Sequence, residues 1–352
     1  MKNIAVLGLG KVGSLAAVLL DQSGFTVTGH DIAANPSDFS FPVKPTDLAD
    51  KAALAAEFKT VDAVLSCLPY HLNIGVAQAA HDAGVHYFDL TEDVPTTNAI
   101  IEMSKTSKGL MAPQCGLAPG FVGIVGADLI AKFETCRSCR MRVGALPQHP
   151  TGLMGYAFNW SSEGVVNEYL NDCEVIEGGV KKLVSPMEWL EKIHIDGLQL
   201  EAFTTSGGLG TMCDTYLGRV ENLDYKTMRY PGHMKLMNFF FHELLMRDRR
   251  KEAGEVLVKA KPPVSEDIVY VHVAAEGMMN GKLSREEFVR GYKPIVIAGK
   301  QRTAISWTTA SSVVAVIEMV RDGTLQNSGF LKQEDIPLPA FLNTSTGAHY
   351  KG

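Results

Sequence analysis

Near the start of the chain, Gly8-Leu9-Gly10-Lys11-Val12-Gly13 directly follows the apolar run Ile4-Ala5-Val6-Leu7. A strand, then G-x-G-x-x-G, then a helix is the arrangement that a dinucleotide pyrophosphate needs. The first glycine permits the tight turn, the second lets backbone approach the phosphates, and the third lets the helix pack on the strand. Residues 25–30 read as the next strand, and Asp31 stands at its end, where a carboxylate accepts hydrogen bonds from the adenosine ribose. A carboxylate there also repels a 2′-phosphate, and Ile32-Ala33-Ala34-Asn35 supplies no arginine to accept one, so NAD is favoured over NADP.

Three more segments fall where a doubly wound sheet holds its ligands, beyond the carboxyl ends of the strands. Ser66-Cys67-Leu68-Pro69-Tyr70 follows the third clear strand, with its backbone expected along the nicotinamide ribose. Leu90-Thr91-Glu92-Asp93-Val94-Pro95 follows the next and brings Thr91, Glu92 and Asp93 towards the cofactor; capping the following helix is an equal alternative for Asp93. Cys115-Gly116-Leu117-Ala118-Pro119-Gly120 reads as a hinge-like turn into a second domain, with Leu117 at the cofactor.

These segments need a scaffold, and the pattern supplies one. Strands are expected at 4–7, 25–30, 61–67 and 85–89, with a short run at 110–112. Helices are expected at 14–20, 52–58, 74–83 and 97–107. That alternation predicts an α/β fold, a Rossmann-type doubly wound parallel sheet over residues 1–118. After Gly120 the rhythm changes: a helix at 121–133 precedes longer strand-like runs at 140–145, 198–204 and 267–275, which predict an inserted α+β domain over 119–305 that binds substrate and pairs two chains. Residues 302–309 read as a strand or crossing segment, and 314–321 as a late helix within a segment, 306–352, that returns to the first domain. Residues 234–246 read as a helix buried on more than one side, 247–252 as a solvated helix end, and 259–263 as a loop. The last ten residues, small and polar, are expected to fray.

The chain has 352 residues, 46% of them apolar and 20% charged, with a net charge of −6. That balance gives no electrostatic reason to bind nucleic acid or an anionic membrane, and no apolar run is long enough to cross a bilayer. A first strand so near the start argues against a cleaved signal peptide, so a cytoplasmic protein is expected. Cys136-Arg137-Ser138-Cys139 has a metal-like spacing, but no second C-x-x-C or H-x-x-x-H accompanies it. No metal is expected, and these cysteines read as buried strand residues.

Leu68-Pro69-Tyr70-His71-Leu72-Asn73, His86-Tyr87-Phe88-Asp89-Leu90 and Cys115–Gly120 together resemble motifs of the saccharopine dehydrogenase (reductase)-like family, which includes the lysine 6-dehydrogenases. The later chain agrees, in the family's order. Val143-Gly144-Ala145-Leu146-Pro147 is followed by Gly155-Tyr156-Ala157-Phe158-Asn159-Trp160-Ser161-Ser162, Leu200-Glu201-Ala202-Phe203, Ser206-Gly207-Gly208 and Met228-Arg229-Tyr230-Pro231-Gly232-His233. The resemblance implies a Rossmann domain closed by the C-terminal part of the chain, and an inserted substrate domain through which chains commonly pair as homodimers. Within the group the length is most similar to that of the lysine 6-dehydrogenases. This implies NAD-dependent oxidation of the side-chain amine of L-lysine to allysine, which cyclises to a piperideine carboxylate.

That chemistry sets requirements which the residues can be asked to meet. Lysine's ammonium, with a reference pKa of ~10.4, must become neutral before hydride can leave its carbon. Glu92, Asp93 and Glu163 are the candidates to receive the proton, and the sequence selects none of them. The substrate carboxylate suits a guanidinium fork, and Arg229, held before a Pro-Gly turn, is the first choice. His233 is a candidate second donor to the same carboxylate. Trp160, Ser161 and Ser162 offer an apolar wall with hydroxyls, and Thr204 and Thr205 are candidates for contact with the substrate backbone. Two other readings stand beside this one: reductive coupling of an amino acid to an aldehyde, as in saccharopine or carboxynorspermidine formation, and an NAD(H)-sensing protein without turnover.

Overall fold

The computed structural model describes residues 1–48 and 50–351. They divide into two compact units, Met1–Phe121 with Ser306–Gly352, and Val122–Ile305.

In the first unit, β1 (Asn3–Leu7), β2 (Thr26–His30), β3 (Val43–Lys44), β4 (Ala63–Ser66), β5 (His86–Asp89) and β6 (Leu110–Ala112) lie in the order β3-β2-β1-β4-β5-β6. The strand Gly329–Phe330 extends the sheet beside β6, and every pairing is parallel. Parallel neighbours require crossovers, and α1 (Lys11–Gln22), α2 (Lys51–Phe58), α3 (Tyr70–Ala83) and α4 (Val94–Ser104) supply them. Ala5, Leu7, Val64, Tyr87 and Met111 of the strands pack against Leu54, Phe58, Val76, Ala80 and Ile100 of the helices. Full burial of such side chains contributes roughly 1.5–3 kcal/mol each, which is why the apolar faces of these helices settle on the sheet. Strand order reverses between β1 and β4, where Leu7 pairs with Ser66, so the crevice at the carboxyl ends of these two strands is the ligand position of this fold.

The second unit begins along α5 (Phe121–Ile130) and is built on a mixed sheet. Its strands are β7 (Thr135–Pro147), β8 (Cys173–Glu177), β9 (Val180–Val184), β10 (Glu191–Ile195), β11 (Leu198–Thr204), β12 (Val220–Arg229), β13 (Asp267–Met279) and β14 (Lys282–Tyr292). The order is β10-β11-β12-β7-β13-β14, with β8 against β12 and β9 against β8. β12 and β7 run parallel and the other neighbours antiparallel. Also in this unit are α6 (Ser162–Leu170), α7 (Met212–Tyr216), α8 (His233–Asn238), α9 (Arg250–Ala260) and the small hairpin β15 (Ile295–Ile297) with β16 (Lys300–Arg302). Glu201 pairs with Arg229 and Phe203 with Thr227, so period-2 alternation puts these four on one face of the sheet. Arg142, Lys226 and His272 are mutual partners across β7, β12 and β13 and share the opposite face.

Several sequence expectations give way here. Residues 302–309 are not a crossing strand: β16 ends at Arg302, and α10 runs Ala304–Arg321, ten residues longer at its start than expected. The carboxylate of Asp267 accepts the N–H groups of Ala304 (2.6 Å) and Ile305 (3.0 Å), capping α10 from a strand far away in sequence. Residues 234–246 do not form one buried helix either. α8 passes into a π turn over Phe239–Glu243 that buries Phe241, whereas Phe239, Leu244 and Leu245 are 46%, 53% and 55% exposed. Lys259 and Ala260 belong to α9 rather than to a loop. The described C-terminal residues, which end at Lys351, do not fray. A 3-10 turn over Gly347–Lys351 buries Tyr350, whose ring stacks on Phe121 with centroids 3.9 Å apart. Glu318, buried in α10, holds the same segment by accepting from Ser345 Oγ, Thr346 N and Thr346 Oγ1.

Candidate functional site

The first unit carries a nucleotide cradle. Gly8 adopts φ +83°, closed to side chains with a Cβ, and receives β2 through its N–H to His30 O at 2.9 Å. A Cβ on Gly13 would lie 1.9 Å from Gly8 O, so strand end and helix start approach as only glycine allows. α1 begins at Lys11 and Val12 with Gly10 as its N-cap and no side-chain cap, and nothing lies within 4 Å of where a Gly10 Cβ would be. An uncapped helix start over open space fits a diphosphate. Cys67 and Leu68 press on the same turn: Cys67 O and Leu68 Cδ2 each come within 3.0 Å of the Gly8 Cβ position. Burial pushes the Cys67 thiol up to about 12, so it stays protonated and packs. Pro69 is the N-cap of α3, and Leu117 is buried in the first unit.

Asp31 is partly exposed and already engaged. Its Oδ2 accepts the Leu9 N–H at 2.7 Å, and its Oδ1 accepts those of Ala33 (2.7 Å) and Ala34 (3.2 Å). It therefore shapes the glycine loop and retains a fraction of its acceptor capacity for a ribose. The Ser66 hydroxyl, in contrast, is buried and donates to Asn73 Oδ1 at 2.7 Å, so only its backbone remains for a cofactor. Thr91 is likewise turned inward, its Oγ1 accepting the Asp93 N–H at 3.2 Å.

The loop after β5 sorts its carboxylates. Asp93 is the N-cap of α4, accepting Thr96 N at 2.9 Å and Thr96 Oγ1 at 2.6 Å, the capping role that the sequence offered as its alternative. Asp89, which sequence reasoning passed over, is fully buried and accepts from Tyr87 Oη, Thr91 N and Gln114 N at 2.8, 3.0 and 2.9 Å. Burial nevertheless pushes it up to about 6. The signal for it was a strand ending Tyr-x-Asp, which puts a phenol and a carboxylate on one face. Glu92 is partly exposed, and burial of its carboxyl, then the charges of Asp93 and Asp89, push it up to about 7. That is the range in which a carboxylate exchanges protons near neutral pH.

The second unit holds the other group of predicted residues. Arg229, at the end of β12, is 2% exposed. Its Nε donates to Tyr169 Oη at 2.9 Å, its Nη1 donates to Met228 O at 2.8 Å, and its guanidinium lies 4.6 Å from the centre of the Tyr156 ring. Among the described residues it has no ion-pair partner. Burial opposes its charge, but Tyr156, Tyr169 and, at longer range, Glu168 hold it firmly protonated. His233 is 1% exposed, with Nδ1 3.0 Å from Met154 O and Nε2 3.1 Å from Tyr169 Oη. Burial, then the charge of Arg229, draw it down to about 3, so it is neutral with both nitrogens engaged and cannot also donate to a substrate carboxylate as the sequence suggested.

Other predicted residues take structural work. Thr204 is fully buried, and its Oγ1 donates to Ser185 O at 2.8 Å and accepts Glu188 N at 3.0 Å, fixing the turn before β10. Ser161 caps α6 by accepting Gly164 N at 3.0 Å, and Glu163 lies exposed in the first turn of that helix. Ser162 packs at Gly254 of α9. Thr205 keeps its candidacy, since its buried Oγ1 has no hydrogen-bond partner. Trp160 donates from Nε1 to Tyr156 Oη at 3.3 Å and joins the aromatic set around Arg229. Tyr156, Tyr169 and Glu201 were missed: Glu201 accepts Gly232 N (2.8 Å) and Met234 N (2.7 Å) and so holds the Pro-Gly-His turn on the sheet. A glutamate at an inward position of an apolar strand was the available signal.

Comparison with known proteins finds two family models along the chain. Residues 4–112 match the model of the saccharopine dehydrogenase NADP binding domain, and residues 116–344 match that of the saccharopine dehydrogenase C-terminal domain. Mouse mitochondrial alpha-aminoadipic semialdehyde synthase is 27% identical over 263 residues, covering 68% of this chain and 28% of that protein, so the chain spans little more than a quarter of that relative. A saccharopine dehydrogenase (NADP(+), L-glutamate-forming) of Pyricularia oryzae is 21% identical over 345 residues, 90% of this chain and 76% of that one. Among solved structures, the apo saccharopine dehydrogenase (L-Glu forming) of Saccharomyces cerevisiae superposes with a TM-score of 0.72 at 18% identity, covering 100% of this chain and 96% of that chain. The diaminopimelate dehydrogenase of C. glutamicum shares the fold more distantly, with a TM-score of 0.51 at 11% identity over 99% of this chain and 98% of that one. With both domain models matched in order along the chain, the protein belongs to the saccharopine dehydrogenase family.

Proposed function

We propose that this protein is an NAD-dependent amino-acid dehydrogenase that oxidises the side-chain amine of L-lysine to allysine. The observation that carries the reading is Arg229, a buried guanidinium surrounded by neutral acceptors and aromatic faces, with no ion-pair partner among the described residues. Such a group recognises a carboxylate strongly, because the charge is desolvated already and its direct partners are neutral, Glu168 acting on it only at longer range. A nicotinamide cofactor in the Gly8–Gly13 cradle would supply the two-electron acceptor. Glu92, in the first unit, is the candidate proton acceptor, since burial pushes its carboxyl up to about 7 and Asp93, its neighbour, caps α4. Tyr156 and Trp160 give the methylene stem an apolar wall. The neutral amine then gives up one hydride, two electrons with one hydrogen, to become an iminium, and water converts the iminium to aldehyde and ammonium.

A second reading, NAD(P)-dependent saccharopine-type chemistry on a secondary amine, is supported by the names of the relatives matched along most of the chain. It uses the same carboxylate anchor. The cofactor preference is also proposed: Asp31 argues for NAD, although the matched domain model carries NADP in its description.

The test is reduced-cofactor formation from L-lysine, L-ornithine, saccharopine and carboxynorspermidine, each with NAD+ and NADP+, from pH 6 to 10. Turnover of lysine with NAD+ is expected. With Glu92 as the proton acceptor, kcat/KM falls as pH drops through about 7. Glu92→Gln removes that limb and lowers the rate by about 10²–10⁴-fold. Turnover of saccharopine without lysine replaces the first reading by the second, and cofactor binding with no turnover rejects both.

A further inference from the structure

We propose that Tyr169 and His233 are positioning residues for Arg229, with His233 acting through the Tyr169 hydroxyl to hold the guanidinium open for a substrate carboxylate. This rests on the reading of Arg229 as the carboxylate anchor, and assigns the residues that make it one.

The hydrogen-bond directions form a single chain. Met154 O can only accept, so His233 Nδ1, 3.0 Å away, carries the ring hydrogen. The buried ring is neutral, which leaves Nε2 as a bare acceptor. Tyr169 Oη, 3.1 Å from that nitrogen, must therefore spend its single hydrogen on His233. Its lone pairs are left facing Arg229 Nε, which donates to them at 2.9 Å. Without the histidine acceptor, the phenol hydrogen would compete for the side on which Arg229 needs a lone pair.

The surroundings hold each member of the chain. Phe203 lies nearly parallel to the His233 ring, 14° between planes at 6.3 Å, and Tyr156 meets it edge-on at 5.2 Å. Glu201 grips the backbone on both sides of His233 through Gly232 N and Met234 N. Met228 O fixes Nη1 at 2.8 Å. With Nε and one Nη1 hydrogen committed to neutral acceptors, the remaining guanidinium hydrogens keep the geometry of a fork. A carboxylate in place of Tyr169 would hold the guanidinium equally well but cancel its charge. The phenol orients the group without adding a negative charge in contact with it.

The test compares Tyr169→Phe, His233→Leu, His233→Gln and Arg229→Met in the full chain. It reads KM and kcat with the amine that turns over, amine Kd by calorimetry with cofactor present, cofactor Kd and Tm. Gln can place an acceptor near the Nε2 position, and Leu cannot. Tyr169→Phe and His233→Leu are expected to raise KM and amine Kd about tenfold, the worth of one oriented hydrogen bond to a charged group. The kcat should stay within about threefold and cofactor affinity should not move, and His233→Gln should recover most of the loss. A purely structural role would lower Tm in all three without this split or this rescue. If Arg229→Met raises KM while Tyr169→Phe leaves it unchanged, the positioning proposal fails and the anchor stands. If Arg229→Met itself leaves KM and amine Kd unchanged, the anchor fails and the positioning proposal with it. Should His233→Leu not fold, Tyr169→Phe and His233→Gln decide the question.

Discussion

Two arginines lie buried on opposite faces of the sheet in the second unit, and they are treated in opposite ways. Arg142 on β7 is enclosed by charge. Glu191 takes its Nε and Nη2, Asp224 Oδ1 lies 2.5 Å from Nη1 as a charge contact rather than an aligned hydrogen bond, and Lys226 reaches the same Glu191 at 2.8 Å. Arg229 on β12 is enclosed by a phenol, a carbonyl and an aromatic face. Both guanidiniums have lost their water. The first has carboxylates in direct contact, and the second has neutral groups in contact, with Glu168 acting only at longer range. A desolvated charge left without a counter-ion in contact is costly, and its persistence marks a place where an anion from outside completes the arrangement. Arg142 is therefore a structural group and Arg229 a recognition group, though the two look alike in sequence.

The largest expected effect breaks this comparison if it fails. Arg229→Met should raise the KM of the amino-acid substrate by about a hundred- to thousandfold, while stability changes little. Arg142→Met should do the reverse. It strands Glu191 and Asp224 beside one remaining cation and lowers unfolding free energy by about 3–5 kcal/mol with KM nearly unchanged. Urea unfolding and steady-state kinetics on both variants check the pair. A loss of stability at Arg229 as large as that at Arg142 would make both structural.

Acid sharpens the contrast. Burial works against the Glu191 charge, but the hydrogen bond and charge of Arg142, then those of Lys226, draw its carboxyl down to about 2. Because this pKa is depressed from an unfolded value of ~4.3, its stabilisation is present above that value and is lost as pH falls towards 2. Glu191 is one-third exposed, so the contribution is discounted to about 1–2 kcal/mol. The Tm gap between the wild type and Glu191→Gln should be widest near pH 6 and close as pH approaches 2. The Arg229 cluster answers acid differently, since Arg229 has a phenol and a carbonyl as direct partners. His233 behind the phenol, drawn down to about 3, stays neutral in the folded chain while the unfolded chain protonates it, so its contribution falls as pH drops from ~6.5 towards 3.

How much of this was legible in the sequence follows from how each part is built. The cofactor cradle is made of backbone, and its glycines are contiguous, so Gly8, Gly10 and Gly13 stand out directly. Strands β1 and β4 announce themselves because parallel strands buried on both faces are short continuous apolar runs. The surroundings of Arg229 are made of side chains from distant segments: Tyr169 is 60 positions away, and Met154 is 79 positions from His233. No spacing rule joins these, so Arg229 could be singled out and its partners could not. The start of α10 was hidden for the same reason, as its cap comes from Asp267, 37 positions earlier. The C-terminal segment was misread because its small polar residues say nothing of Tyr350, which is held by aromatic stacking on Phe121.

The question of committed against available charge also applies to a carboxylate, with the smallest effect. Asp31 accepts three backbone N–H groups and so resembles Arg142 more than Arg229. Two oxygens offer about four acceptor positions, which leaves one for a ribose hydroxyl and a full negative charge facing any 2′-phosphate. The two roles separate in Asp31→Ala. If Asp31 only shapes the loop, NAD+ and NADP+ should weaken together and Tm should fall. If it also reads the ribose, NAD+ should weaken about tenfold more than NADP+, because the variant loses a hydrogen bond to one and a repulsion of the other. Fluorescence titration of both reduced cofactors measures the ratio. We expect the second result: the Asp31 carboxylate remains partly exposed despite its three bonds, and a merely structural acceptor has no need to be.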